Sequence, residues 1–217
     1  MKMNVHITGC TPGSWREALA ELSADLGFVL SEKGTPIRCH KGEGIAVVSD
    51  GTGVDLTWGT DVEFFRALSL IPVPLAPCDI REKANFRSAG PMFDCSRNGV
   101  VNPEAMRFFI RKMALMGLNL GMMYTEDTYE VPEQPYFGYK RGRYTYDELK
   151  AVDEYAALFG IELIPCIQTL GHLDRVMRWP AYYHIRENDS VIEPDREETY
   201  VILEQMIRAA SAPYRSK

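Results

Sequence analysis

The stretch Gly160-Ile-Glu-Leu-Ile-Pro-Cys-Ile-Gln-Thr-Leu-Gly-His172 decides how the rest of the chain is read. Ile161, Leu163, Ile164 and Ile167 make a short apolar run directly after a glycine of the kind that ends helices. Such a run is a buried parallel strand or a piece of buried helix, and its periodicity alone does not separate the two. Pro165 sits near its end, where a strand gives up ladder bonds most easily. The chemistry then turns polar, with Gln168, Thr169, Gly171 and His172. In a barrel of alternating strands and helices, polar residues at a strand's carboxyl end face the substrate. The competing reading is a core strand with a solvated end.

Working outward, the chain from Phe86 alternates strand and helix. Gly90–Cys95 is read as a strand, and Asn102-Pro103 as an N-cap followed by proline at the first helical position. Met106, Ile110 and Met113 form that helix's buried stripe, and Gly117 stops it. Leu118–Tyr124 is a second strand. Thr145-x-x-Glu148 has the spacing of a capping box before Leu149, Val152, Ala156 and Phe159, with Gly160 as the stop. After the strand at Ile161–Ile167, Asp195-Arg-Glu-Glu198 opens a last helix carrying Ile202, Leu203, Met206 and Ile207. Repeated units of this kind imply a parallel sheet with right-handed crossovers.

Before Phe86 the pattern differs. A strand over residues 3 to 7 is followed by a helix with Trp15, Leu19, Leu22 and Leu26 on one face, closed by Gly27 and opened by a box-spaced Ser14 and Glu17. Ile45–Ser49 and Val54–Trp58 flank the hairpin punctuation Asp50-Gly51-Thr-Gly53, and a second helix runs from Asp61. Two helices on a mostly antiparallel sheet are expected, with Pro72–Ala84 as linker. The domain organisation is therefore a small α/β domain over 1–82 and a strand–helix domain over 83–217.

Composition bounds the function. The chain has 217 residues, 46% hydrophobic and 25% charged, with net charge -6, so no basic field invites nucleic acid or an anionic membrane. The N-terminus has no secretory h-region and no apolar run reaches spanning length. Five scattered cysteines without a C-x-x-C pair are read as reduced thiols in a cytoplasmic protein. No cofactor or metal is called for. Glu126 with His172 is the conceivable metal pair, and no third ligand stands at useful spacing. His6 and His40 are read as structural or solvated.

The polar residues occupy one kind of place: Asp94 and Arg97 after the first strand of the second domain, Thr125, Glu126 and Asp127 after the next, Gln168 and His172 after the third. Between residues 128 and 144, Tyr129, Tyr136, Phe137, Tyr139 and Tyr144 stand among prolines, glycines and basic residues. Aromatics there either stack on the apolar faces of a sugar ring or pack the loop down.

At this point four blocks resemble family 20 glycoside hydrolases, the β-N-acetylhexosaminidases. Phe86-Arg-Ser-Ala-Gly90-Pro-Met-Phe-Asp94-Cys-Ser-Arg97 looks like that family's opening barrel segment. Met123-Tyr-Thr-Glu126-Asp127 is similar to its histidine-x-threonine-aspartate-aspartate motif. Arg143-Tyr-Thr145-Tyr-Asp-Glu-Leu and Ile161–His172 match its third block, and the first domain looks like the small α/β domain that precedes the barrel. The Thr-Glu-Asp-Thr-Tyr spelling is nearest the intracellular bacterial and hexosaminidase-D-like branch. Met123 stands where the family has histidine, Asn98 where a histidine is usual, and Cys166 and Gln168 where it has acids.

The resemblance implies the first three β/α units of a (β/α)8 barrel. It implies an exo-acting retaining hydrolase that removes terminal β-linked GlcNAc or GalNAc, in which the substrate's own 2-acetamido oxygen attacks the anomeric carbon. It assigns Arg97 to sugar hydroxyls, with Glu126, Asp127 and His172 lining the same subsite; the competing readings are a surface ion pair of Arg97 with Asp94 and a structural His172. The family's catalytic Asp-Glu pair belongs at the end of a fourth strand, which is expected beyond Lys217. Asp147-Glu148 and Asp153-Glu154 are read instead as a helix N-terminus and a solvated helix face. The expectation is an amino-terminal fragment that lacks the acid pair, does not hydrolyse on its own, and self-associates through open strand edges and an uncovered inner face at Phe93, Met122 and Leu163. Two other readings stand beside it: Glu126 and Asp127 as the acid pair of another barrel hydrolase, which the alternation of strand side chains opposes, and a non-catalytic carbohydrate-binding or interaction module.

Overall fold

The computed structural model describes residues 2–216, which separate into two compact units. The first comprises residues 2–90, 107–119 and 155–161, the second residues 91–106, 120–154 and 162–216. Lys217, beyond which the acid pair is expected, lies outside the described residues.

In the first unit, β1 (Met3–Gly9), α1 (Trp15–Leu26), β2 (Phe28–Leu30), β3 (Thr35–Lys41), β4 (Ile45–Ser49), β5 (Val54–Trp58), α2 (Asp61–Ser69) and β6 (Cys78–Glu82) follow one another. The sheet runs β2-β1-β3-β5-β4-β6. Only β4 pairs antiparallel, with β5 and β6; the other ladders are parallel. This corrects the mostly antiparallel sheet expected from the hairpin, because β3 enters between β1 and β5. It also corrects the linker, since β6 lies inside Pro72–Ala84 and completes the sheet's edge. Val5, Ile37, Val47 and Leu56 are fully buried with Phe64, Phe65 and Leu68 of α2. The helix starts differ from each other. Thr60 and Glu63 make a reciprocal capping box at α2, whereas the Ser14 hydroxyl donates to the Leu158 carbonyl at 2.8 Å and caps nothing.

The second sheet is β7 (Met92–Asp94), β8 (Leu120–Thr125) and β9 (Glu162–Ile167), all parallel in the order β7-β8-β9. The connections carry α3 (Pro103–Met116) and α4 (Tyr146–Ala157), and α5 (Asp174–Met177) and α6 (Glu197–Ser211) follow β9. The start signals act as the sequence implies. Asn102 Oδ1 accepts the Ala105 N–H at 2.8 Å, and Thr145 and Glu148 bond each other's backbone N–H. Gly117 and Gly160 end their helices at φ +75° and +70°.

Register fixes which residues share a face. Met92, Met122 and Ile164 align, as do Asp94, Tyr124 and Cys166, while Phe93 aligns with Met123 and Pro165. Phe93 and Leu163 therefore lie on the opposite face from Met122, and Leu163 is fully buried, which corrects their expected placing on the inner face. Past α6 the chain runs beside β9, where Ser216 Oγ donates to the Leu163 carbonyl at 2.8 Å. Arg215 grips Asp153, its Nε 2.7 Å from Oδ2 and its Nη2 2.6 Å from the backbone oxygen. Asp153 is thus a buried, paired carboxylate rather than part of a solvated face, and only Glu154 is exposed.

Candidate active site

Asp94 ends β7 and turns the chain. Its Oδ1 accepts the N–H groups of Ser96 and Arg97, each at 3.1 Å, and its Oδ2 takes Arg97 Nε at 2.6 Å. Burial works to raise this carboxyl, but those two N–H groups and the Arg97 side chain outweigh it and hold it below the usual range. Only Nε of the guanidinium is bound to Asp94, and the side chain is 60% exposed. Neither Nη group has a hydrogen-bond partner among the described residues. The guanidinium carbon stands 5.1 Å from the centre of the Tyr124 ring, because Asp94 and Tyr124 are register partners.

Tyr124 is the hub of the cluster. Its hydroxyl donates to Glu126 Oε1 at 2.9 Å and accepts from Gln168 Nε2 at 3.1 Å. Burial, and then the bond to Glu126, push the phenol above its ordinary value. Glu126 is buried, and its own N–H donates to Ser96 Oγ at 2.8 Å. The ends of all three strands are tied into one chain of contacts, Asp94–Arg97–Tyr124–Glu126 with Gln168.

Asp127 points the other way. It is 1% exposed, its Oδ1 lies 3.2 Å from Arg141 Nε, and Arg141 Nη2 donates to the Ser96 carbonyl at 2.6 Å. Burial outweighs Arg141 and raises the Asp127 carboxyl. Among the described residues Asp127 Oδ2 finds no hydrogen-bond partner, and neither do the buried Tyr129 and Tyr182 hydroxyls or Trp179 Nε1. All four lie in the segments after β8 and β9. Each unpaired buried polar group costs roughly 1–3 kcal/mol, so each calls for a partner such as an ordered water, an ion or a ligand. Beneath them Ser96 Oγ and Thr128 Oγ1 are 3.0 Å apart, and Thr128 bonds the Cys95 carbonyl.

Of the four residues singled out from the sequence, Arg97 and Glu126 meet through Tyr124. Asp127 joins the neighbouring buried network. His172 does not join: it is exposed, sits at φ +57°, and its ring makes no hydrogen bond or ion pair among the described residues. No group of three or more His, Cys, Asp or Glu able to hold a metal occurs among the described residues. The reading of Glu126 and Asp127 as one acid pair fails geometrically, since their carboxylates bond Tyr124 and Arg141 respectively. Tyr124 and Arg141 are participants that the sequence reading misses, and Gln168 is one that it places only by its strand end. The signal for Tyr124 is present, since Tyr124-x-Glu126 is a period-two pair at a strand end.

The loop aromatics divide by role. Tyr129, Phe137 and Tyr144 are buried and pack the loop down, whereas Tyr136 and Tyr139 are exposed and meet Trp179 at ring-centre distances of 5.6 and 5.4 Å.

No model of a known protein family matches the chain. Bovine hexosaminidase D is 32% identical over 81 residues, a stretch that is 34% of this chain and 23% of that protein. Human hexosaminidase D is 33% identical over 72 residues, 31% of this chain and 15% of that protein. Among solved structures, the GH20 exo-β-N-acetylglucosaminidase of Vibrio harveyi in complex with N-acetylglucosamine superposes with TM-score 0.80 at 19% identity, covering 99% of this chain and 42% of that one. The N-acetyl-β-hexosaminidase of Streptomyces plicatus in complex with thio-NAglucal superposes with TM-score 0.80 at 19% identity, covering 98% and 53%. The chain thus spans about half the length of these structures and under a quarter of the curated relatives within the matched stretches. It is similar to family 20 glycoside hydrolases in fold along nearly its whole length, and to hexosaminidase D in sequence over a third of it.

Proposed function

We propose that this chain forms part of a family 20 β-N-acetylhexosaminidase, its three-stranded sheet being the first three strands of a (β/α)8 barrel. In this reading the Arg97–Tyr124–Glu126–Gln168 cluster binds the terminal N-acetylhexosamine. The observation that carries the proposal is this cluster at the carboxyl ends of three parallel strands, where barrel enzymes hold their substrates.

Arg97 serves as a fork for vicinal hydroxyls, with Nε held by Asp94 and the Nη groups directed to the sugar. The Glu126 carboxylate, fixed by Tyr124, accepts from a hydroxyl. Gln168 sets the Tyr124 hydroxyl so that its proton goes to Glu126. The same reading gives Asp127 and His172 a supporting role toward the catalytic acid; Asp127 is held by Arg141, and His172 is exposed and makes no hydrogen bond or ion pair with Asp127 among the described residues. In the substrate-assisted route the 2-acetamido oxygen forms the bond to the anomeric carbon as the glycosidic bond breaks. A carboxylic acid protonates the leaving oxygen and then takes a proton from the incoming water, with net retention.

The carboxylates at the strand ends and the two Asp-Glu pairs of α4 do not fit that acid: Asp94 is committed to Arg97 and Glu154 lies exposed on the helix. Glu126 is committed to Tyr124, Asp127 to Arg141 and Asp153 to Arg215, while Asp147 and Glu148 open a helix. This reading therefore keeps the Asp-Glu pair beyond Lys217. The 217-residue chain alone is expected not to hydrolyse an aryl N-acetyl-β-glucosaminide above background. Turnover that co-purifies with the chain and survives removal of contaminating enzyme would refute this reading. The isolated chain is also expected to self-associate, because Met92 stays 53% exposed at the edge of a parallel sheet. Sedimentation at micromolar concentration checks this, and a single monomer species would count against the barrel reading.

A further inference from the structure

Tyr136, Tyr139 and Trp179 form one aromatic corner. Tyr136 and Trp179 are inclined by 31°, and Tyr139 stands edge-on to both, at 70° and 78°. Tyr136 is 44% and Tyr139 40% exposed, so both side chains reach solvent. Two cations flank the corner: Lys140 Nζ lies 5.5 Å from the Tyr139 ring centre, and Arg178 Cζ lies 4.9 Å from that of Trp179.

These two cations differ from their neighbours. Arg141 is spent on Asp127, Arg143 on Glu130 and the Phe137 carbonyl, and Arg175 on Asp174. Lys140 and Arg178 have ring contacts but no carboxylate partner among the described residues, in a chain whose net charge is -6. Lys140 is also held at φ +59°, a conformation that a side chain other than glycine, asparagine or aspartate rarely takes. Such local strain persists only where surrounding contacts impose it. The corner's loop is tied to the residue that follows Glu126: Gly138, between the two tyrosines, lies against the Asp127 carbonyl, and Arg141 clamps the loop to Asp127 and Ser96.

We propose that this corner binds an anionic pyranose, a sulfated or uronic sugar, in the unit next to the terminal N-acetylhexosamine. The C–H face of the ring stacks on Tyr136 and Trp179, and the sulfate or carboxylate is taken by Lys140 and Arg178. In assigning that unit to the aglycone side, the inference rests on the proposed function; the binding itself does not.

The test is a titration of the chain, followed by tryptophan fluorescence and NMR. The probes are three disaccharides ending in N-acetylglucosamine whose second unit is neutral, 6-sulfated or a uronic acid. At least one charged probe is expected to bind about tenfold tighter than the neutral one, the effect of roughly one charge-assisted hydrogen bond. That preference should vanish in Lys140→Asn/Arg178→Gln, asparagine being tolerated at positive φ, and shrink in Arg178→Gln alone. Arg97→Lys should weaken all three probes alike and leave the preference intact. A preference that persists while Arg97→Lys changes nothing overturns the proposed site and leaves the corner standing. Equal affinity for neutral and charged probes in the wild-type chain, or a preference that survives the double substitution, overturns the corner.

Discussion

Gly138→Ala is expected to lower the melting temperature by roughly 6–12 °C, taking a cost of about 3 kcal/mol for a strained left-handed residue in a chain of this size. Two effects add at this position. Gly138 sits at φ +65°, and a Cβ there would stand 2.2 Å from the Asp127 carbonyl oxygen and 3.0 Å from Arg143 Cδ. The arginine can move, but the backbone oxygen belongs to the residue that anchors the loop. Gly142→Ala is the natural control. Its φ is +68°, yet its nearest neighbour would be Val100 Cγ2 at 3.9 Å, so it bears only the conformational cost of about 1–2 kcal/mol. Thermal melts of both variants separate the clash from the dihedral. Equal losses would mean that Gly138 is not pressed against Asp127.

The second large effect concerns Arg97. In an enzyme carrying this chain together with its acid pair, Arg97→Lys is expected to lower kcat/KM by roughly tenfold to a hundredfold, as one lost hydrogen bond of a charged group would. A lysine keeps the charge beside Asp94 but replaces the fork with a single point. Stability should barely change, because the pair with Asp94 is largely solvated on the arginine side, where water screens it. An unaltered kcat/KM in a folded variant would remove Arg97 from the site.

How far the sequence revealed this can be argued from single residues. The strand–helix alternation after Phe86 was legible because caps and stops punctuate it: Asn102, Gly117, Thr145 with Glu148, and Gly160 all act as their types demand. β3 was not legible. In Thr35-Pro-Ile-Arg-Cys-His-Lys41 only Ile37 and Cys39 are buried, too few apolar residues to display a period of two. β6 was hidden by the prolines before it, and its insertion shows how weakly composition separates an edge strand from a linker. The facing of Phe93 and Leu163 needed register, since these strands carry apolar residues on both sides.

The site divides along the same line. Position at strand ends was readable, so Arg97 and Glu126 stand where expected. Partner choice was not, because Arg141 meets Asp127 at a sequence separation of fourteen along the loop, and no local rule specifies a contact of that separation. His172 had only its place in a motif behind it, and nothing in the described contacts ties it to Asp127. The buried share of the aromatic loop was equally invisible, since Tyr129 and Tyr139 differ only in which side of the loop they occupy.

The proposed binding of a terminal N-acetylhexosamine by Arg97, Tyr124, Glu126 and Gln168 is open to direct measurement. Its most direct test is a titration of the isotopically labelled chain with N-acetylglucosamine, read by NMR. Saturable shifts confined to the neighbourhood of Asp94, Arg97, Tyr124, Glu126 and Gln168, and lost in Arg97→Lys, are the predicted result. Shifts centred elsewhere, or none up to the solubility of the sugar in a folded chain, would contradict it.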